Sequence, residues 1–282
     1  MTPDRAPAEP AAAPPRRRPP RGRRFGRPPW ILVLPALAGV AFLVLPMAGL
    51  LVSAPWSTMG GRLTEPEVLA ALWLSLSTAT AATAVSLLLG VPLAWLLART
   101  DFPGRRLVRA LVTVPLVMPP VVGGVALLLV LGRNGIVGRH LDAWFGITLP
   151  FTPAAVVLAQ VFVAMPFLVI SVEGALRGAD RRYEEAAATL GASRAAVFAR
   201  VTLPMVLPGI AAGAVLCWSR ALGEFGATIT FAGNFPGTTQ TMPLAVYVAM
   251  QRDPEAAIVL SLILLAVCLA VLATLRERWT NA

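Results

Sequence analysis

Long uncharged runs alternating with short arginine-bearing segments set the pattern of this chain. Runs without a charged residue occupy Trp30–Val52, Val68–Ala98, Ala110–Gly132, part of Ala143–Val172, Val201–Ser219 and Ala256–Leu275. A helix needs about 20 apolar residues to cross a bilayer, so the pattern predicts six transmembrane helices and an all-α membrane fold. The first outer connection, Ala54–Glu67, holds Pro55, Gly60-Gly61 and Pro66 and reads as a turn. Span 2 carries Ser75, Ser77, Thr78, Thr80, Thr83 and Ser86. Small residues let helix backbones approach closely in lipid, so this span is expected to bury a face against its neighbours. Span 3 contains Pro115, Pro119-Pro120 and Gly123-Gly124, which remove or weaken backbone hydrogen bonds. A break at membrane depth is tolerated only where protein buries it or water lines it. These residues leave two readings open, a wall of a transport path or a structural kink.

The connection between spans 4 and 5, residues 180–207, is polar and has helical signals of its own. Span 4 is expected to end at Glu173. Asp180 suits an N-cap, and Glu184 and Glu185 suit the positive end of the helix that begins there. Gly191 fits the left-handed residue that ends that helix. Ser193 can cap a second short helix running through Arg200, before Pro204 and Pro208 redirect the chain into span 5. Two short helices about a glycine turn make a small knob that can seat in a groove on another protein.

Charge fixes an orientation for these spans. All 24 basic residues are arginines, and the net charge is +10. Most lie in the tail (Arg5 to Arg27), at Arg99, Arg105, Arg106 and Arg109, around the 180–207 loop (Arg177, Arg181, Arg182, Arg194, Arg200) and at Arg276 and Arg278. Only Arg62, Arg133, Arg139 and Arg252 fall on the other side. By the positive-inside rule both termini and the knob are expected to be cytoplasmic, in a multi-pass membrane protein. The same distribution argues for contact with the lipid bilayer and against nucleic acid. The first run, at 23 residues, exceeds the usual 7–15-residue core of a signal peptide and reads as a retained span. Residues 1–29, rich in Pro and Arg, are expected to be a disordered cytoplasmic tail, 30–276 a transmembrane domain and 277–282 a cytoplasmic end. Cys217 and Cys268 lie inside spans, and His140 is a lone loop histidine, so no metal, cofactor or catalytic centre is indicated.

The pattern Glu185-Ala186-Ala187, three residues, Gly191, nine residues, Val201-Thr202-Leu203-Pro204 resembles the coupling loop of ABC importer permeases. The span 5 block Arg220-Ala221-Leu222-Gly223-Glu224-Phe225-Gly226-Ala227-Thr228 and the span 3 block Pro115 to Gly124 resemble the molybdate-type branch, as do Thr228-Ile229-Thr230 and Gln240 to Pro243. The resemblance implies a type I importer permease for molybdate, with sulfate or tungstate as alternatives and a carrier or channel without an ATPase a weaker one. It also implies a second copy of the permease, two cytosolic ATPase subunits and an external molybdate-binding protein. Implied ATPase-coupling residues are Glu184, Glu185, Ala186, Ala187, Gly191, Leu203 and Pro204. Implied pathway or gate residues are Pro119, Pro120, Gly123, Arg220, Gly223, Glu224, Gly226 and Thr228. Arg220 and Glu224 are four apart, a spacing that pairs them on one helix face. Whether that pair meets the anion, sets a gate or is purely structural stays open at this point. The chain has no Gly-x-x-x-x-Gly-Lys loop and no lysine, so nucleotide hydrolysis is expected from a partner.

Overall fold

The structure is a computed structural model that describes residues 30–280, the side chains of Leu272 and 274–280 excepted. The expected N-terminal tail and residues 281–282 of the short C-terminal end lie outside the residues so described. The chain divides into two units, one ending at Gly49 and one beginning at Leu50. The first is represented by most of α1 (Trp30–Val52), a 23-residue helix with no buried residue.

In the second unit, α2 (Trp56–Leu63) is followed by α3 (Pro66–Arg99), α4 (Arg105–Val117), α5 (Pro120–Leu131), α6 (Gly138–Phe145) and α7 (Pro153–Gly178). Next come α8 (Arg182–Thr189), α9 (Arg194–Val197), a π-helical turn at Phe198–Thr202, and α10 (Leu203–Leu222). The chain finishes with α11 (Gly226–Phe231), α12 (Met242–Arg252) and α13 (Pro254–Thr280). Among the described residues, five helical stretches are long and apolar enough to cross a membrane, namely α1, α3, α7, residues 194–222 and α13 as far as Val271. The pair α4 and α5, bent by 119° at Met118–Pro119, makes a sixth if counted as one broken span.

Three helices form the centre of the second unit. α3 packs on α7, and α10 packs on both. Over residues 71–90 α3 buries Ala71, Ser75, Thr78, Ala79, Ala82, Thr83, Ser86 and Gly90, the small-residue face expected of span 2, and beyond them Ala94, Leu97 and Ala98. Gln160 on α7 is fully buried and its Nε2 donates to Thr78 Oγ1 at 3.2 Å, an interhelical bond of a kind worth about 0.6 kcal/mol in a membrane protein. α10 meets α7 through Gly209 and Gly213. A Cβ at Gly213 would lie 2.9 Å from Ser171 Cβ, and one at Gly209 would overlap Ala175 Cβ. Ser171 Oγ donates to the Gly209 carbonyl at 3.2 Å. A small-xxx-small pair thus sets how closely these two backbones approach.

Several local expectations are corrected. The 54–67 connection is not an open turn, because Gly60-Gly61 lie inside α2, whose Arg62 is anchored on Asp253. α7 does not stop at Glu173 but runs to Gly178. Arg109 and Arg177 both donate to Glu173 Oε1, at 2.7 and 2.6 Å, so the charge is neutralised within the helix. His140, read as a loop histidine, lies in α6.

The base of α13 is held by a polar clasp. Arg62 Nη1 donates to Asp253 Oδ2 at 2.6 Å, while Asp253 Oδ1 accepts from Ala256 N at 3.1 Å as the cap of α13. The bond from Arg62, with that from Ala256 N, holds the Asp253 carboxyl below its ordinary range. A carboxyl lowered in the folded state supports it above the unfolded value, about 4, and loses that support as pH falls through the lowered value. Amide exchange at residues 60–64 should therefore accelerate below about pH 4. Asp253→Asn should exchange fast throughout and lose the pH dependence.

Candidate functional site

The knob forms largely as its sequence signals dictate. Asp180 Oδ1 accepts from Arg182 N at 3.0 Å at the start of α8, although the N-cap itself is Arg181, one residue later than expected. Glu184 and Glu185 occupy that turn. Gly191 has φ +86°. Ala192 N bonds the Ala187 carbonyl at 3.1 Å and Gly191 N the Ala188 carbonyl at 3.0 Å, the paired pattern of a Schellman C-cap. Ser193 Oγ then accepts from Ala196 N at 3.3 Å and starts α9.

Beyond α9 the chain departs from expectation. No second helix ends near Arg200, and Pro204 does not redirect the chain. Instead α9, the π turn and α10 run on as a single helical stretch, residues 194–222. In the π turn Leu203 N bonds the Phe198 carbonyl, one residue further back than in an α-helix. Pro204 has no N–H to donate, and the widened turn just before it accommodates the missing bond.

One carboxylate ties the knob to two of the spans. Glu184 Oε1 accepts from Arg99 Nη2 at 2.8 Å and from Thr202 Oγ1 at 3.0 Å, so it joins α8 to the end of α3 and to the π turn. The Arg99 side chain is only 7% exposed. Trp95 stacks edge-on to Phe198 with ring centres 6.3 Å apart, and Arg181 Nη2 donates to the Ala98 carbonyl at 3.4 Å. Glu184 therefore faces inward. Ala186 faces outward with Tyr183 at 63% and Leu190 at 89% exposure, Glu185 is exposed on the opposite side of α8, Ala187 and Leu203 are half-buried and Pro204 is exposed. Sequence reasoning missed Arg99 and Thr202 as partners of Glu184. It also missed Tyr183 and Leu190, although their i, i+7 spacing with Ala186 and Ala187 marks a helix stripe.

A second group of residues gathers where two helices break. α5 lies against α11. A Cβ at Gly226 would come 3.0 Å from Pro120 Cβ, and one at Gly123 would come 2.9 Å from Phe162. One at Gly124 would overlap Thr230 Oγ1 and come 2.8 Å from the Ala227 carbonyl. Pro119 is the N-cap of α5. α10 stops at Leu222, so Glu224 is not on the helix that carries Arg220. It lies beyond the exposed Gly223, in the break before α11. The pair forms nevertheless, with Nη1 to Oε2 at 2.6 Å as an ion contact that lacks hydrogen-bond geometry. Glu224 is 1% exposed, and its Oε1 accepts from Ala227 N at 2.8 Å, which caps α11. Thr228 is buried, and its Oγ1 has no hydrogen-bond partner. Gly124→Val should lower the melting temperature of the purified protein by several degrees, because backbone and side chain of α11 both obstruct the new atoms. A variant that melts like the parent would show that α5 and α11 can separate freely.

Several crossings, one of them broken, and a paired-helix knob tied to the ends of the spans define a multi-span permease of transport-protein type. The fold agrees with the structure of a bacterial alginate ABC transporter in complex with alginate pentasaccharide-bound periplasmic protein, at a TM-score of 0.69 and 20% identity, covering 88% of this chain and 92% of that one. Residues 90–281 match the model of the binding-protein-dependent transport system inner membrane component, and the chain belongs to that family, the permeases of ABC importers. It is a translocation subunit and not an enzyme. It is 50% identical over 240 residues to the molybdenum transport system permease protein ModB of Mycobacterium tuberculosis, covering 85% of this chain and 90% of that protein. It is 37% identical over 234 residues to the sulfate transport system permease protein CysT of Escherichia coli, covering 82% and 84%.

Proposed function

We propose that this permease imports molybdate, working as a pair of identical copies with two cytosolic ATPase subunits and an external molybdate-binding protein. The observation that carries the cargo is the difference between 50% identity to a molybdenum permease and 37% to a sulfate permease over similar lengths. In this reading both termini and the knob face the cytoplasm. Tyr183, Glu185, Ala186, Ala187, Leu190 and Gly191 meet the ATPase, and Glu184 acts from within as a positioning residue. Leu203 and Pro204 open the span that carries the movement onward.

Closure of the ATPase pair displaces the knob. The Glu184 carboxylate passes that displacement to α3 through Arg99 and to α10 through Thr202. From Thr202 to Arg220 the helix runs about 27 Å at 1.5 Å per residue, and it moves as one piece because no break interrupts it. At its far end Arg220, Gly223 and Glu224 form a joint to α11, which carries Gly226 and Thr228 and sets Gly226 against Pro120, next to Pro119 and ahead of Gly123 in α5. The Arg220 side chain is partly exposed, at 28%, while its partner is buried, at 1%. The guanidinium can face an anion while Glu224 tempers its charge, so that an anion delivered from outside is not retained.

The test is reconstitution with the ATPase and binding protein. ATP-dependent molybdate uptake that a large excess of sulfate leaves unchanged is expected. Sulfate competition would move the assignment to the sulfate branch, and uptake without ATP would remove the motor from the account.

A further inference from the structure

Between the knob and the end of α3 lies a cleft of about 470 Å³, of whose lining residues only Glu185 has been placed against the ATPase. Three guanidinium-bearing residues, Arg99, Arg181 and Arg194, line it together with the carboxylates of Glu184 and Glu185. Its apolar wall is Trp95, Val197 and Phe198. Three positive against two negative charges leave an excess of one. Glu184 is already engaged by Arg99 and Thr202. Arg194 is exposed and has no partner among the described residues, and Arg99 Nε is buried with no hydrogen-bond partner.

The cleft opens on the side of the knob away from its outward stripe. Glu184, Glu185 and Ala188 line it, whereas Tyr183, Ala186 and Leu190 lie on the other side of α8. It is also at the edge of the bilayer, since Trp95 and Arg99 occupy the last turn and a half of a spanning helix. Tryptophan and arginine are the residues that settle at that depth. The space is several times what a bare tetrahedral oxyanion fills, and half of its wall is apolar, which suits a phosphate attached to a glycerol and the start of an acyl chain.

We infer that this cleft binds the head group of a singly charged anionic phospholipid and thereby braces the knob against α3. Basic pockets between spanning helices at the membrane surface hold such head groups. The inference depends on the membrane placement of α3 and not on the identity of the cargo.

The test uses the full permease–ATPase complex in nanodiscs of phosphatidylcholine with about one quarter phosphatidylglycerol, a composition that leaves the surface moderately anionic. Retained phosphatidylglycerol is counted by native mass spectrometry. Arg181→Gln with Arg194→Gln should reduce retention about tenfold or more, two arginines each contributing to the attraction. Arg106→Gln with Arg200→Gln removes the same charge from exposed arginines outside the cleft, and should leave retention at the parent level. Equal losses in both variants would mean a diffuse basic surface and overturn the site. Displacement of the lipid by millimolar inorganic phosphate would make a free anion the occupant and overturn the lipid assignment. Unchanged lipid retention together with loss of the ATPase from the cleft variant would give the cleft to the motor and end the proposal.

Discussion

Gly191→Val is expected to cut ATP-dependent uptake by tenfold or more while the protein still inserts in the membrane. At φ +86° the residue is in the left-handed region, where a β-branched side chain clashes with its own backbone at a cost of about 1–2 kcal/mol or more. Nothing lies within 4 Å of a Cβ built there, so the penalty is one of backbone and not of space. The distinction gives a control. Asparagine visits this conformation readily, so Gly191→Asn should retain most of the uptake, whereas Gly191→Val shifts the two bonds at Ala187 and Ala188 and changes the angle between α8 and α9. Equal uptake by the Val variant and the parent would mean that the shape of the turn has no role.

The second large effect is expected at Glu184. Glu184→Ala leaves the guanidinium of Arg99, 7% exposed, without its carboxylate. Breaking a buried pair from one side costs about 3–5 kcal/mol. The knob then loses its carboxylate link to both α3 and the π turn, so uptake should disappear while the associated ATPase still hydrolyses nucleotide. Arg99→Met combined with Glu184→Leu removes both charges and should recover the melting temperature without recovering uptake. Glu185→Lys makes the contrast. Its side chain is exposed and pairs with nothing among the described residues, so its melting temperature should be unchanged while uptake falls. If Glu184→Ala and Glu185→Lys have the same profile, the inward placement of Glu184 carries no mechanical meaning.

These two glutamates show how far the sequence could be read. Signals that act within one turn were legible, among them the Gly191 turn and the Ser193 cap, with the start of α8 one residue later than read, because each depends on a few neighbouring atoms. The spans were legible too, since the bilayer demands uncharged length. Which of two adjacent glutamates points inward was not, because it depends on Arg99, 85 residues earlier in the chain. The run of α9 into α10 was hidden for a similar reason. Pro204 and Pro208 normally argue for a break, and a π turn that absorbs a missing donor leaves no local trace in composition. At the second site the pairing of Arg220 with Glu224 was anticipated from their spacing, but the helix end between them was not. Gly209 and Gly213 passed unnoticed because small residues are common in any membrane helix, and only the position of Ser171 and Ala175 gives them meaning.

The coupling of knob to motor is tested most directly at Leu190, the most exposed large apolar residue of α8 and its cap, at 89%. A photo-crosslinking amino acid placed there, in the assembled importer, is predicted to form an adduct with the ATPase subunit whose yield changes between the nucleotide-free and ATP-bound states. An adduct with the external binding protein, or none with the ATPase in either state, would contradict the account.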